Sequence, residues 1–127
     1  MATGDALFPI MYPVTGFKLG TTSAGIKTPG RSDLVIMEIA EGSSVAALFT
    51  KNAFCAAPVI VCKEHLVRCS PRYMLINTGN ANAGTGEQGL LDATHSCSAL
   101  ATSRGVDINA VLPFSTGVIG EYLPMDK

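Results

Sequence analysis

Between Tyr73 and Phe114 the chain reads as strand, helix, strand, and that order constrains the fold more than any other stretch. Tyr73-Met74-Leu75-Ile76-Asn77 is a short apolar run of the kind a buried strand carries. After a loop from Thr78 to Gly84, Leu90, Ala93, Cys97, Leu100 and Ala101 recur at three- and four-residue steps and so share one face of a helix. Thr85-Gly86-Glu87-Gln88 predicts its start as a capping box, and Gly105 after Arg104 predicts its end as a left-handed cap. Val111-Leu112-Pro113-Phe114 is then a second apolar run. Two strands joined through one helix pair in parallel with a right-handed crossover.

The preceding residues add antiparallel character. Phe17 to Lys27 alternates weakly and is followed by the turn Thr28-Pro29-Gly30-Arg31-Ser32, which predicts a strand and a turn. Leu34 to Ala40 and Val45 to Thr50 are short apolar runs separated by Glu41-Gly42-Ser43-Ser44, and are expected to pair as a hairpin. Pro58 to Cys62 reads as a strand leading into a short helical turn at 63–68. Residues 1–15, with Pro9 and Pro13 and no periodicity, are expected to form an extended arm, and 16–127 a single α/β domain with a mixed sheet.

Composition removes several classes of function. Nine Lys and Arg against ten Asp and Glu give a net charge of −1, which leaves no electrostatic footprint for nucleic acid or an anionic membrane. The longest apolar stretch, Val45 to Cys62, is interrupted by Lys51, Asn52 and Pro58 and fails as a membrane span. The first nine residues lack the basic region of a secretory signal and the arginines of a transit peptide, so a cytoplasmic setting is expected. Cys55, Cys62, Cys69 and Cys97 contain no C-x-x-C pair and are read as reduced thiols. A mean hydropathy of +0.32 is high for a free-standing small domain, and predicts apolar surface that meets other polypeptide.

Four constellations could carry chemistry. Gly84-Thr85-Gly86-Glu87-Gln88-Gly89 matches a dinucleotide fingerprint, but its glycines begin seven residues after Asn77, and about twenty residues on lies Asn109, while Asp107 precedes the next strand instead of ending it where a ribose would bind. A capped helix with flexible glycines explains it as well, and a nucleotide-binding module stays as the alternative. His65 and His95 are the only histidines; His95 and Cys97, two apart on a helix, point in different directions and make no metal site. No cofactor is implied. Asn77, Asn80 and Asn82, interleaved with small residues, read first as loop scaffold and second as a ligand site. Ser115-Thr116-Gly117 reads either as a polar turn closing a strand or as a turn whose Gly117 N–H and Thr116 hydroxyl converge on an oxyanion.

Gly16-Phe17, Ala24-Gly25-Ile26-Lys27, the run Asn77 to Ala83, Thr85-Gly86-Glu87-Gln88-Gly89 and Ser115 through Lys127 stand in an order and spacing that resemble the amino-terminal part of the ornithine acetyltransferase/glutamate N-acetyltransferase (ArgJ) family. The resemblance runs from about Val14 onward. It implies a DmpA/ArgJ-like layered α/β/β/α sandwich in which a mixed sheet packs with helices. It further implies a precursor that cuts itself before a threonine into α and β chains, joined as an (αβ)2 heterotetramer. The new N-terminal Thr takes acetyl from N-acetylornithine and passes it to glutamate in arginine biosynthesis. The family's oxyanion pair falls on Thr116 and Gly117. Its Gly- and Met-rich cleavage segment, the nucleophilic Thr and the substrate-binding residues have no match here and are expected beyond Lys127. The chain is accordingly expected to be a fragment or part of an α chain, inactive alone; a structural fragment without activity is the other alternative.

Overall fold

The computed structural model describes residues 9–127. Its elements run β1 (Phe17–Thr22), β2 (Leu34–Ile39), α1 (Ala57–Leu66), β3 (Tyr73–Asn80), α2 (Gly86–Arg104) and β4 (Val111–Val118), with one 3-10 turn at Ile108–Ala110. The strands lie side by side in chain order, β1–β2 and β2–β3 antiparallel and β3–β4 parallel. This is the expected mixed sheet packed with helices.

The parallel crossover forms as its sequence predicts. Leu75 of β3 stands between Ile36 of β2 and Pro113 of β4, and Tyr73 stands beside Val111, so side-chain alternation puts these residues on one face. Ala93, Cys97, Leu100 and Ala101 of α2 meet that face and, with Val61 of α1, close the core. Gly105 ends α2 in the left-handed conformation (φ 66°), its N–H directed at the carbonyls of Ala101 and Thr102. The other face presents Val35, Met37, Met74, Ile76 and Phe114, an apolar layer of the kind a second sheet covers in an α/β/β/α stack.

α1 seals the free edge of β4. Cys62 Sγ donates to the Pro113 carbonyl at 3.1 Å, and His65 Nδ1 lies 2.7 Å from the Val111 carbonyl. A carbonyl only accepts, so His65 carries its proton on Nδ1. Pro113, which has no N–H to give a ladder, is tolerated because β4 is an edge strand.

Four expectations are corrected. Pro58 to Cys62 is helical: Pro58 sits in the first turn of α1, where its missing N–H costs nothing, and an apolar run of five residues looks the same in either state. Val45 to Thr50 forms no strand, because β1 and β3 already occupy both edges of β2. The capping box does not close: Thr85 precedes α2, but its hydroxyl donates to Asn82 Oδ1, and Gln88 turns to Asp92. Ser115-Thr116-Gly117 is the last part of β4 rather than a turn after it. Of the expected arm, residues 1–8 lie outside the described residues, and 9–14 form neither helix nor strand. Among the described residues no helix is long and apolar enough to cross a membrane.

Candidate functional site

Because β3 and β4 are parallel, their carboxyl ends finish together, the place where open α/β sheets collect ligands. Asn77-Thr78-Gly79 lies against Ser115-Thr116-Gly117 residue for residue, and the register then slips so that Asn80 opposes both Thr116 and Val118. The slip is a bulge built on two glycines. Gly117 has φ +135°, and a Cβ there would stand 2.3 Å from the Gly79 carbonyl carbon and 2.5 Å from the Asn80 nitrogen. Only glycine fits so close to another backbone.

Three buried asparagines lock this end of the sheet. Asn77 accepts from the Ser115 hydroxyl at 2.5 Å and donates to the Asn80 carbonyl at 2.8 Å. Asn80, 1% exposed, donates through Nδ2 to the carbonyls of both Glu121 and Tyr122 at 2.9 Å and accepts the Asn82 N–H at 2.8 Å. Asn82 donates to the Gly89 carbonyl at 2.8 Å and accepts from Thr85. Each of these side chains bonds other parts of the protein, as the scaffold reading expects.

Thr116 and Gly117 are exposed at the end of β4. The Thr116 hydroxyl bonds no other described residue, in contrast to Ser115 beside it. A cleft of about 350 Å³ opens between the sheet and α2, walled by Ile36, Leu75, Leu100 and Pro113, with Asn77 and Ser115 among its polar groups; Ser115 lines it, whereas Thr116 and Gly117 do not. Residues 123–125 form its far side.

The loop between β1 and β2 closes over the same end. Asp33, which the sequence gave no reason to single out, is 3% exposed and accepts the N–H groups of Ala24 and Ile26 at 2.7 and 2.6 Å. Burial acts to raise its pKa, but the N–H groups of Ile26, Ala24 and Gly25 and its own outweigh this and hold it below the ordinary carboxylate value. Lys27 from this loop pairs with Glu121.

The Gly84 to Gly89 pattern starts after Asn80, and the Asn82–Thr85 pair fills the space under the first turn of α2: a Cβ on Gly89 would lie 1.9 Å from Thr85 Oγ1. Gly89 serves that packing, while a Cβ on Gly86 would meet nothing within 4 Å. His65 caps the β4 edge, while His95 lines the cleft from α2. Among the described residues no three His, Cys, Asp or Glu side chains gather as a metal site. All four cysteines are free, and burial pushes the thiol of Cys62 up to about 11 and that of Cys97 up to about 12.

Comparison with known proteins agrees with this fold. The model of the ArgJ family matches residues 18–127. The chain is 62% identical over all its 127 residues to the arginine biosynthesis bifunctional protein ArgJ of Pseudomonas syringae pv. tomato, covering 31% of that protein. It is 60% identical over 117 residues to the protein of the same name from Methylococcus capsulatus, covering 92% of this chain and 28% of that one. The chain thus spans about a third of the length of the curated relatives it matches. Among solved structures, the arginine biosynthesis bifunctional protein argJ of Bacillus halodurans superposes with a TM-score of 0.82 at 38% identity, over 88% of this chain and 59% of that one. Ornithine acetyltransferase of Mycobacterium tuberculosis, solved with ornithine, gives 0.76 at 37% identity, over 88% and 61%.

Proposed function

The chain belongs to the ArgJ family, and we propose that it works as part of an acetyltransferase that moves acetyl from N-acetylornithine to glutamate, supplying the oxyanion hole. In this reading residues 16–127 are one α/β domain of a cytoplasmic (αβ)2 enzyme. The remainder of the α chain and a β chain bring the substrate contacts and an N-terminal Thr.

The chemistry is a double displacement. The Thr hydroxyl attacks the acetyl carbonyl, giving its proton to the chain's own α-amine. The tetrahedral intermediate expels ornithine, leaving an acetyl ester on Thr, and the glutamate amine then attacks that ester and releases the Thr hydroxyl. Negative charge gathers twice on the former carbonyl oxygen. Donors fixed in advance at that oxygen lower both barriers, because they need not reorganise as the charge appears.

One observation carries the assignment to Thr116 and Gly117. They are an exposed hydroxyl–glycine pair at the carboxyl end of a parallel strand, on backbone held by the Gly79–Gly117 contact and the Asn80 bonds. The test is Thr116→Ala in the full-length, self-processed enzyme. Loss of one such donor costs about 2.7–4 kcal/mol, so kcat should fall about 10²–10³-fold with KM nearly unchanged. A near wild-type kcat in a folded variant would remove the role.

A further inference from the structure

The loop Ala24–Lys27 is fixed from two sides. From within, the Asp33 carboxylate takes the N–H groups of Ala24 and Ile26, and Gly25, at φ +75°, makes the turn between them. From outside, Lys127 Nζ donates to the Gly25 carbonyl at 2.6 Å and the Lys27 ammonium pairs with the Glu121 carboxylate. The Lys27 stem rests on the strand beneath: a Cβ on Gly79 would stand 2.9 Å from Lys27 Cγ. Gly79 in turn backs onto Gly117. Glu121 closes the circuit, since its backbone carbonyl is held by Asn80 Nδ2 at 2.9 Å.

We propose that Lys27 is a positioning residue for the Thr116–Gly117 site, acting through its ion pair with Glu121 to fix the segment that leaves β4; this rests on the acetyl-transfer reading above. Lys27 and Glu121 are 41% and 51% exposed at their side chains, so the pair adds little to global stability. Its effect is on placement. β3 anchors Thr116 and Gly117 on one side, whereas residues 118–122 are tied back by Asn80, by two backbone bonds and by this pair. Oxyanion donors tolerate small displacement poorly: a shift of about 1 Å at a reacting centre can cost about 10²-fold in rate.

The experiment uses the full-length, self-processed enzyme with Lys27→Met, which keeps the apolar stem and removes the charge, together with Lys27→Arg, Glu121→Gln and the double variant Lys27→Met/Glu121→Gln. Lys27→Met should lower kcat about tenfold with KM for N-acetylornithine little changed, and Lys27→Arg should restore most of it. Glu121→Gln should give the same loss, and the double variant no further loss, because both remove one interaction. The Gly120 amide, bonded to the Ala83 carbonyl at 2.8 Å, should exchange faster in Lys27→Met. Lys18→Met, which breaks the Lys18–Glu38 pair at the opposite end of the sheet, should leave kcat alone. Unchanged kcat in Lys27→Met beside a hundredfold loss in Thr116→Ala overturns the role of Lys27 and leaves the site assignment standing. Unchanged kcat in both overturns both. Losses that multiply in the double variant, or a loss confined to KM, also overturn it.

Discussion

Replacing Asn80 by Ala should loosen the end of β4 without unfolding the core. The side chain makes three hydrogen bonds, two donated to the carbonyls of Glu121 and Tyr122 and one accepted from Asn82 N–H, at 2.8 to 2.9 Å. At about 0.5–1.5 kcal/mol net for each bond, their loss totals about 3 kcal/mol. With a factor of ten for every 1.4 kcal/mol, local opening should be favoured about a hundredfold. Hydrogen exchange followed by NMR reads this at the amides of Ala81 and Gly120, which bond Val118 and Ala83 across the same junction. Asn80→Asp sharpens the test. It keeps the acceptor for Asn82 but sets a carboxylate oxygen against two carbonyls, so it should open the junction at least as much as Ala. Acceleration below about threefold in Asn80→Ala would refute the clamp.

Other outcomes follow from the same geometry. Gly117→Ala combines a φ of +135° with a contact of 2.3 Å. It should lower the denaturation free energy by about 2–6 kcal/mol, whereas Gly20→Ala, whose added Cβ meets nothing within 4 Å, should stay close to wild type. The carboxyl of Asp33 is held below its ordinary value when folded, so the unfolded chain binds its proton more readily. The resulting stability is present above about pH 4 and is lost as pH falls through the folded value; Asp33→Asn should flatten the acid limb of stability against pH in that window. Alkylation at pH 8 followed by mass spectrometry should label the half-buried Cys55 and Cys69 before Cys62 and Cys97, whose thiols are raised to about 11 and 12.

The crossover from Tyr73 to Phe114 was legible because its signals are local: a 3.6-residue period, a glycine in the left-handed cap, and apolar runs on either side. The asparagine loop was legible as scaffold because short amides among small residues seek backbone partners. Tertiary choices were not legible. Val45 to Thr50 looks like a strand, and only the occupancy of both edges of β2 excludes it. Pro58 to Cys62 carries the same residues whether it ends a strand or begins a helix. Ser115-Thr116-Gly117 looked like a turn because hydroxyl–glycine sequences usually are; its place in β4 depends on Gly79 meeting Gly117 from 38 residues away in the chain, as Asn77 meets Ser115. Asp33 follows a turn and gives no pattern at all, although it organises the loop that carries Lys27.

The central claim, that Thr116 and Gly117 receive the developing oxyanion, is tested most directly by pre-steady-state kinetics of Thr116→Ala in the full-length, self-processed enzyme. In the proposed double displacement, acetylation of the nucleophilic Thr by N-acetylornithine and transfer of that acetyl to glutamate would pass through tetrahedral intermediates sharing one oxyanion position. Both rate constants should therefore fall together, each by about 10²–10³. A loss in only one half-reaction, or wild-type rates in both, would contradict the claim.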